Sequence, residues 1–319
     1  MTLLRIPYID YANHPAYGGL FGRPRIGARI EALRRFMPFF LRYKRLVLRK
    51  VNQKVKSSFP PAQKLFEDGA IIFRLDENEI GTLAERSKPY VREIDRVKKE
   101  TPLEARTHRN KTFHVNRKKD PAFYQDMAAM LEKRDIQKIA SLYRNCPMEL
   151  TDIVVQVGDA DDPDLKNYFH DAHLPDPPTS YFHIDGSEEQ VKCMIYVSHV
   201  TFPNGPTGYV IGSNRHSIGK FELLTRMAND KARLDKCWRE SRRLFSALPK
   251  FFQKKAEFGN DLDPASWEAQ EILARERVFT SEDGNCIVFD PNGYHRGRVT
   301  TEGRREVVQV VFRPHGYRL

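Results

Sequence analysis

The sequence of 319 residues has few cysteines and no long apolar run. The four cysteines are widely scattered and include no CxxC pair, which argues against a disulfide framework and against a cysteine-based zinc site; they are Cys146, Cys193, Cys237 and Cys286. No apolar run reaches the roughly 18 residues of a membrane-spanning helix. The N-terminal segment carries charges at Arg5 and Asp10 and has no apolar core typical of a secretory signal. These absences favour a cytoplasmic protein with reduced thiols.

Internal repeats and low-complexity segments are also absent. Hydrophobic residues make up 40% of the chain and charged residues 30%, so there is enough apolar material for a sizeable core. The length allows one large domain with additions or two smaller domains.

The net charge of +11 is concentrated near the N-terminus. Residues 23–56 hold twelve Lys or Arg and one acid, and they account for the whole excess. Apolar residues recur there at steps of three and four, which predicts a basic amphipathic helix; they are Phe40, Tyr43, Val47, Val51 and Val55. We therefore predict a basic helical arm over residues 1–60 and a main domain over residues 61–319. The charged side is either simply solvated or in peripheral contact with an anionic membrane through residues 23–56. Nucleic acid is disfavoured because no recognition module is present.

Short β-branched or aromatic segments separated by turn residues dominate the main domain. Strands are predicted at 70–75, 153–157, 180–184, 191–200, 209–211, 286–289 and 306–312, with helices at 77–99 and 121–143. This spacing is typical of an antiparallel barrel or jelly roll. A polar, largely helical stretch over residues 217–276 separates two strands and is predicted to be an insertion over one mouth of the barrel. The fold class is therefore mainly β with helical additions.

Two histidines and a carboxylate form the candidate metal site. His183 and Asp185 are two residues apart on a predicted strand, so their side chains share a face. His295 follows a short turn much later in the chain. Such a set can cap one face of an octahedral Fe(II) and leave positions open for oxygen and an organic co-substrate. Arg305, on the next strand, could hold a co-substrate carboxylate by two parallel hydrogen bonds, whereas strand alternation turns Arg304 to the opposite face.

Residues 203–216 contain a further motif. It reads Pro-Asn-Gly-Pro-Thr-Gly-Tyr-Val-Ile-Gly-Ser-Asn-Arg-His. It resembles the stretch of the phytanoyl-CoA dioxygenase family in which an Asn-Gly pair precedes Gly-Ser-x-Arg/Lys-His. The ending from His295 to Arg305 resembles the ending of the same family, and the resemblance covers roughly residues 66–319.

The resemblance implies a double-stranded β-helix (a cupin-like jelly roll) that couples decarboxylation of 2-oxoglutarate to oxidation of a second substrate by O2. It implies that His183, Asp185 and His295 bind Fe(II), and that Arg305 holds the distal carboxylate of 2-oxoglutarate. Related halogenases replace the carboxylate ligand with a small residue, so Asp185 favours hydroxylation of a C–H bond.

One position departs from the family pattern. A hydroxyl residue that often follows the distal histidine by two positions is Gly297 here. Thr300, Thr301 or Tyr196 could take its place in binding 2-oxoglutarate.

The remaining candidates stay open. Lys192 is either a solvent-facing strand residue or part of the site, and the pair His170 and His173 is more typical of a loop than of a second metal site. The charge of the arm suggests an anionic amphiphilic substrate, such as a glycolipid or a lipopolysaccharide core sugar. The alternatives are a tailoring hydroxylase of a soluble small metabolite and a non-catalytic β-helix binding protein. The oligomeric state is not predicted.

Overall fold

The computed structural model describes residues 58–102, 108–160, 185, 189–214 and 274–316, together with positions 30, 33, 34 and 37. Nearly all of the predicted arm lies outside these residues, as do the predicted strand 180–184 with His183, the pair His170 and His173, and nearly all of the predicted insertion. None of the helices in the described ranges is both long enough and apolar enough to cross a membrane.

Four α-helices lie in the described ranges. They are α1 (Pro60–Asp68), α2 (Glu77–Glu100), α3 (Pro121–Glu132) and α4 (Ile136–Arg144). The predicted helix 77–99 is confirmed as α2, which begins with a capping box between Asp76 and Glu79. The prediction of one helix over 121–143 is wrong, because the chain breaks between α3 and α4. Asp135 adopts a left-handed φ of 55° there, a conformation that aspartate tolerates better than most residues and that ends a right-handed helix.

Within the described residues, nine strands form two antiparallel sheets. The strands are β1 (Ala70–Phe73), β2 (Thr112–His114), β3 (Met148–Asp159), β4 (Val191–Tyr196), β5 (Thr207–Val210), β6 (Glu276–Phe279), β7 (Cys286–Phe289), β8 (His295–Gly297) and β9 (Arg304–Pro314). The large sheet has the order β1-β7-β4-β9-β3-β2, and the small sheet has the order β6-β5-β8. From β4 onward the chain passes repeatedly from one sheet to the other. This is the predicted double-stranded β-helix with flanking helices, and the fold class is confirmed.

The strand boundaries differ in part from those predicted. The strand 286–289 matches β7, whereas β3 and β9 extend several residues beyond the predicted segments. Strands β2, β6 and β8 were not predicted, because three or four residues with charged or polar side chains carry little β pattern. Glu276, placed at the end of the predicted insertion, is instead the first residue of β6.

The large sheet has two different faces. Its outer face packs on the helices, with Ile153, Cys193 and Val310 in one cluster with Leu83 and Phe123. Its inner face meets the small sheet, where Met194, Tyr196, Phe289 and Val307 cluster with Tyr209. The alternation along each strand therefore decides which side chains enter the space between the sheets.

The buried cysteines belong to the outer face. Cys193 and Cys286 are fully buried free thiols on neighbouring strands, and their sulfurs lie 3.3 Å apart. A disulfide would bring the sulfurs to about 2.05 Å. The prediction that these two thiols are buried is confirmed.

Glu79 joins the helical layer to the turn between α3 and α4. Its carboxylate accepts hydrogen bonds from Arg134 and Lys133, and only 7% of its side chain is exposed. The hydrogen bond from Arg134 lowers the pKa of Glu79 to about 2, against burial, which acts to raise it. Because the pKa is lower in the folded state, the stabilisation is present above the ordinary pKa of 4.5 and is lost as the pH falls towards 2.

We expect this pair to contribute to acid unfolding. Wild type should exceed Glu79→Gln in free energy of unfolding by about 1.5–3 kcal/mol at neutral pH, because a hydrogen bond to a charged group is lost. The difference should shrink between pH 5 and pH 2, since only the wild type titrates at this position. Urea denaturation at a series of pH values measures it. A difference that stays constant over this range would contradict the assignment.

Candidate metal and co-substrate site

Asp185 and His295 meet at the end of the barrel although 110 residues separate them. Nε2 of His295 lies 3.2 Å from Oδ2 of Asp185, and the imidazole is only 7% exposed. His295 is the first residue of β8. The backbone N–H of Asp185 donates to the carbonyl of Pro291 at 2.9 Å, which ties the two ligand-bearing segments together. The structure thus brings together two of the three predicted metal ligands, and the role of His183 stays a prediction.

The geometry of this pair fits a metal ion. Nδ1 of His295 lies 3.0 Å from the carbonyl oxygen of Gly293, which can only accept, so Nδ1 carries the proton. In the neutral ring, Nε2 then presents a lone pair towards the Asp185 carboxylate. Two neighbouring ligands of an octahedral ion lie roughly 3 Å apart when each bond is about 2.1 Å. A carbonyl partner on the second ring nitrogen is also the usual support of a metal-binding histidine.

A complete set of metal ligands is absent from the described residues. Within those ranges no group of three or more His, Cys, Asp or Glu side chains is arranged to hold an ion. His183, the third predicted ligand, lies outside the described residues.

Lys192 contacts the same carboxylate. Its Nζ lies 2.6 Å from Oδ2 of Asp185, and its side chain is only 14% exposed. Lys192 shares its face of β4 with Met194 and Tyr196, which line the space between the sheets. Of the two roles left open by the sequence, the structure favours the one inside the site. The sequence contains a signal for this placement, because Lys192 and Tyr196 are an even number of residues apart on one strand and therefore share a face.

Arg305 and Arg304 face opposite sides of β9, as strand alternation predicts. Arg304 donates to Asp95, Asp159 and Glu306 on the outer side. Arg305 donates to the carbonyl of Gly205, and no carboxylate of the described residues pairs with it. Desolvation lowers the pKa of Arg305, yet a guanidinium stays charged at neutral pH. A desolvated cation without an acidic partner is suited to bind an anion.

A hydroxyl and a glycine lie beside Arg305. Oγ1 of Thr300 donates to the carbonyl of Asn204 at 3.1 Å. A Cβ added to Gly158 would lie 3.1 Å from this hydroxyl and about 4.0 Å from Nη2 of Arg305. The absence of a side chain at Gly158 therefore leaves room between the guanidinium and Thr300.

The other two hydroxyl candidates are placed differently. The hydroxyl of Tyr196 is buried, donates to the carbonyl of Phe279 and accepts from the backbone N–H of Thr207. Burial raises its pKa, while the nearby charge of Arg305 acts to lower it. Thr301 is exposed and donates to the carbonyl of Pro203. Thr300 and Tyr196 thus lie near Arg305, whereas Thr301 lies on a surface turn.

Two glutamines were missed by the sequence reasoning. Nε2 of Gln156 and Oε1 of Gln309 lie 3.5 Å apart on neighbouring strands. Gln309 lies on the same face of β9 as Arg305 and Val307, because every second residue of a strand shares a face. This alternation could have predicted its position from the sequence. The inner face therefore carries polar groups between Arg305 and Lys192.

Comparisons with known proteins give the following. No family model and no curated protein matches the sequence. Among solved structures, EctD from S. alaskensis with 2-oxoglutarate and 5-hydroxyectoine is similar at 14% identity and a TM-score of 0.48, over 84% of this chain and 79% of that chain. The non-heme alpha ketoglutarate dependent epimerase SnoN from nogalamycin biosynthesis is similar at 13% identity and a TM-score of 0.43, over 81% and 86%. AviO1 from Streptomyces viridochromogenes Tue57 is similar at 13% identity and a TM-score of 0.43, over 82% and 97%. With such low identities and TM-scores, the fold assignment rests on the strand order and register of this chain.

Proposed function

We propose that this protein is an Fe(II)/2-oxoglutarate-dependent dioxygenase that hydroxylates a C–H bond of an anionic substrate. The observation that carries the proposal is the convergence of Nε2 of His295 and the carboxylate of Asp185 at 3.2 Å. Arg305, on the same side of the barrel wall, supplies a desolvated cation without a carboxylate partner among the described residues.

Each residue has a defined part in this reaction. Asp185 and His295, with His183 as the third ligand, would hold the iron. Bound iron supplies the activation of O2 and of the keto acid that C–H oxidation requires. The carbonyl of Gly293 holds the proton of His295 on Nδ1, so that Nε2 stays available as a ligand. Arg305 would bind the distal carboxylate of 2-oxoglutarate, with the hydroxyl of Thr300 beside it.

Two aromatic side chains between the sheets would keep water from one side of the proposed metal site. Phe289 packs against the imidazole of His295 with the ring centroids 5.1 Å apart, and Tyr209 stacks on the same ring. Both aromatic side chains are buried. They fix the plane of the imidazole and exclude solvent from one side of it.

The proposal extends to the type of dioxygenase and to the class of substrate. The stretch 203–216 and the ending from His295 to Arg305 support a phytanoyl-CoA dioxygenase type of enzyme. The basic charge of residues 23–56 supports an amphiphilic or membrane-associated substrate such as a glycolipid or a lipopolysaccharide core sugar.

Turnover of 2-oxoglutarate tests the proposal. The full chain is supplied with Fe(II), 2-oxoglutarate and O2, and succinate and CO2 are measured with and without a metal chelator. We expect succinate formation that requires iron and that rises with an anionic amphiphile in vesicles, relative to a neutral amphiphile.

The other outcomes separate the alternatives. Stimulation only by soluble metabolites would favour the tailoring hydroxylase. Binding of 2-oxoglutarate and metal without any turnover would favour the non-catalytic binding protein.

A further inference from the structure

The turn formed by residues 290–294 contacts both described metal-ligand candidates. The carbonyl of Pro291 accepts from the backbone N–H of Asp185 at 2.9 Å. The carbonyl of Gly293 faces Nδ1 of His295 at 3.0 Å. A displacement of this turn would therefore change the position of Asp185 and the ring orientation of His295 at the same time.

Asp290 organises this turn from within. Its Oδ1 accepts from the backbone N–H of Asn292 at 3.0 Å and from the Asn292 amide at 2.8 Å. Its own backbone carbonyl accepts from Gly293 and from the hydroxyl of Tyr209. The carboxylate thus fixes the course of the chain between β7 and β8.

The end of α4 holds the Asp290 carboxylate. Nη2 of Arg144 donates to Oδ1 at 2.7 Å, and the hydroxyl of Tyr143 donates to Oδ2 at 2.6 Å. The same Nη2 donates to the carbonyl of Gln190, which lies five residues after Asp185 in the chain. Arg144 therefore bridges the segment that follows one ligand and the turn that precedes the other.

The burial of this ion pair is unusual. The side chain of Arg144 is 2% exposed and that of Asp290 is 3% exposed. Taking two charges out of water costs about as much as their attraction returns, so apolar residues of similar size would often stabilise the fold equally well. The hydrogen bonds of this pair hold the turn in one position.

We propose that Tyr143, Arg144 and Asp290, here called the Asp290 clamp, are positioning residues for the metal centre. The clamp acts through Pro291 and Gly293 on Asp185 and His295, and the proposal rests on the proposed metal centre. In this proposal the clamp residues are not themselves metal ligands.

The affinity of the full-length apoprotein for Co(II) tests the clamp. Affinity is measured by calorimetry without 2-oxoglutarate, and the visible spectrum of bound Co(II) reports the ligand geometry. We expect Arg144→Met to weaken Co(II) binding on the order of 10- to 100-fold, as for other groups that orient metal ligands. Tyr143→Phe removes one hydrogen bond and leaves both charges, so it should fold, and we expect it to weaken binding less and to shift the Co(II) spectrum.

A matched control separates positioning from stability. Arg134→Met breaks the Arg134–Glu79 pair, which is also buried against the helices, with side chains 18% and 7% exposed. It should lower the melting temperature and leave the Co(II) affinity unchanged. Wild-type affinity in Tyr143→Phe, and in Arg144→Met if that variant folds, overturns the proposal.

Failure of the metal centre itself has a separate readout. His295→Ala should lose Co(II) binding regardless of the clamp. If wild type and His295→Ala bind Co(II) equally, the proposed centre is wrong and the clamp proposal is overturned with it. If His295→Ala loses binding and the clamp variants do not, only the clamp proposal is overturned.

Discussion

Replacing Asp185 with alanine is expected to abolish iron-dependent succinate formation from 2-oxoglutarate, with a loss of at least about a hundredfold. The carboxylate lies 3.2 Å from Nε2 of His295 and supplies the negative charge of the pair. Without it the site retains imidazole ligands and the cation of Lys192, which lies 2.6 Å from the carboxylate in the wild type. A divalent ion would then meet a neighbouring positive charge with no compensation.

The measurement is succinate formation together with Co(II) affinity, so that loss of metal is distinguished from loss of chemistry. Asp283→Ala is a suitable control, because Asp283 is a 37% exposed carboxylate whose described hydrogen bonds and ion pair are with Thr280 and Arg277. This variant should retain both succinate formation and Co(II) affinity. Full turnover in Asp185→Ala would place the metal elsewhere in the protein.

Replacing Arg305 with methionine is expected to raise the apparent KM for 2-oxoglutarate. Loss of one partner of a desolvated charge pair costs about 2–5 kcal/mol, which corresponds to roughly 30- to 4,000-fold. Arg305→Lys should lie between wild type and Arg305→Met, since lysine keeps the charge and loses the two-pronged geometry. Steady-state kinetics at saturating iron measures the effect, and Co(II) affinity without 2-oxoglutarate should stay near the wild-type value.

The neighbouring arginine provides the control. Arg304 lies on the opposite face of β9 and pairs with Asp95, Asp159 and Glu306. Arg304→Met should lower the melting temperature and leave the KM for 2-oxoglutarate unchanged. An increase in KM for Arg304→Met that matches the increase for Arg305→Met would show that the effect comes from damage to β9 rather than from loss of an anion site.

Much of the fold was predictable because its signals are local. The strand 286–289 is a continuous apolar run between turn residues, and α2 closely follows the predicted helix 77–99. Strand alternation was sufficient to turn Arg305 inward and Arg304 outward. The short strands β6 and β8 were missed because partners in the small sheet define them, not their own composition. The break at Asp135 was missed because apolar periodicity continues across it.

Residue types, periodicity and spacing along the chain are enough to suggest two imidazoles, a carboxylate and an arginine. The folded chain adds that Asp185 and His295 meet at 3.2 Å, that Lys192 pairs with the same carboxylate, and that Arg144 contacts both ligand-bearing segments. The two kinds of information differ in range along the chain. Periodicity reports the face of a single strand or helix, whereas these contacts depend on the register between strands far apart in the chain and on one buried ion pair from α4.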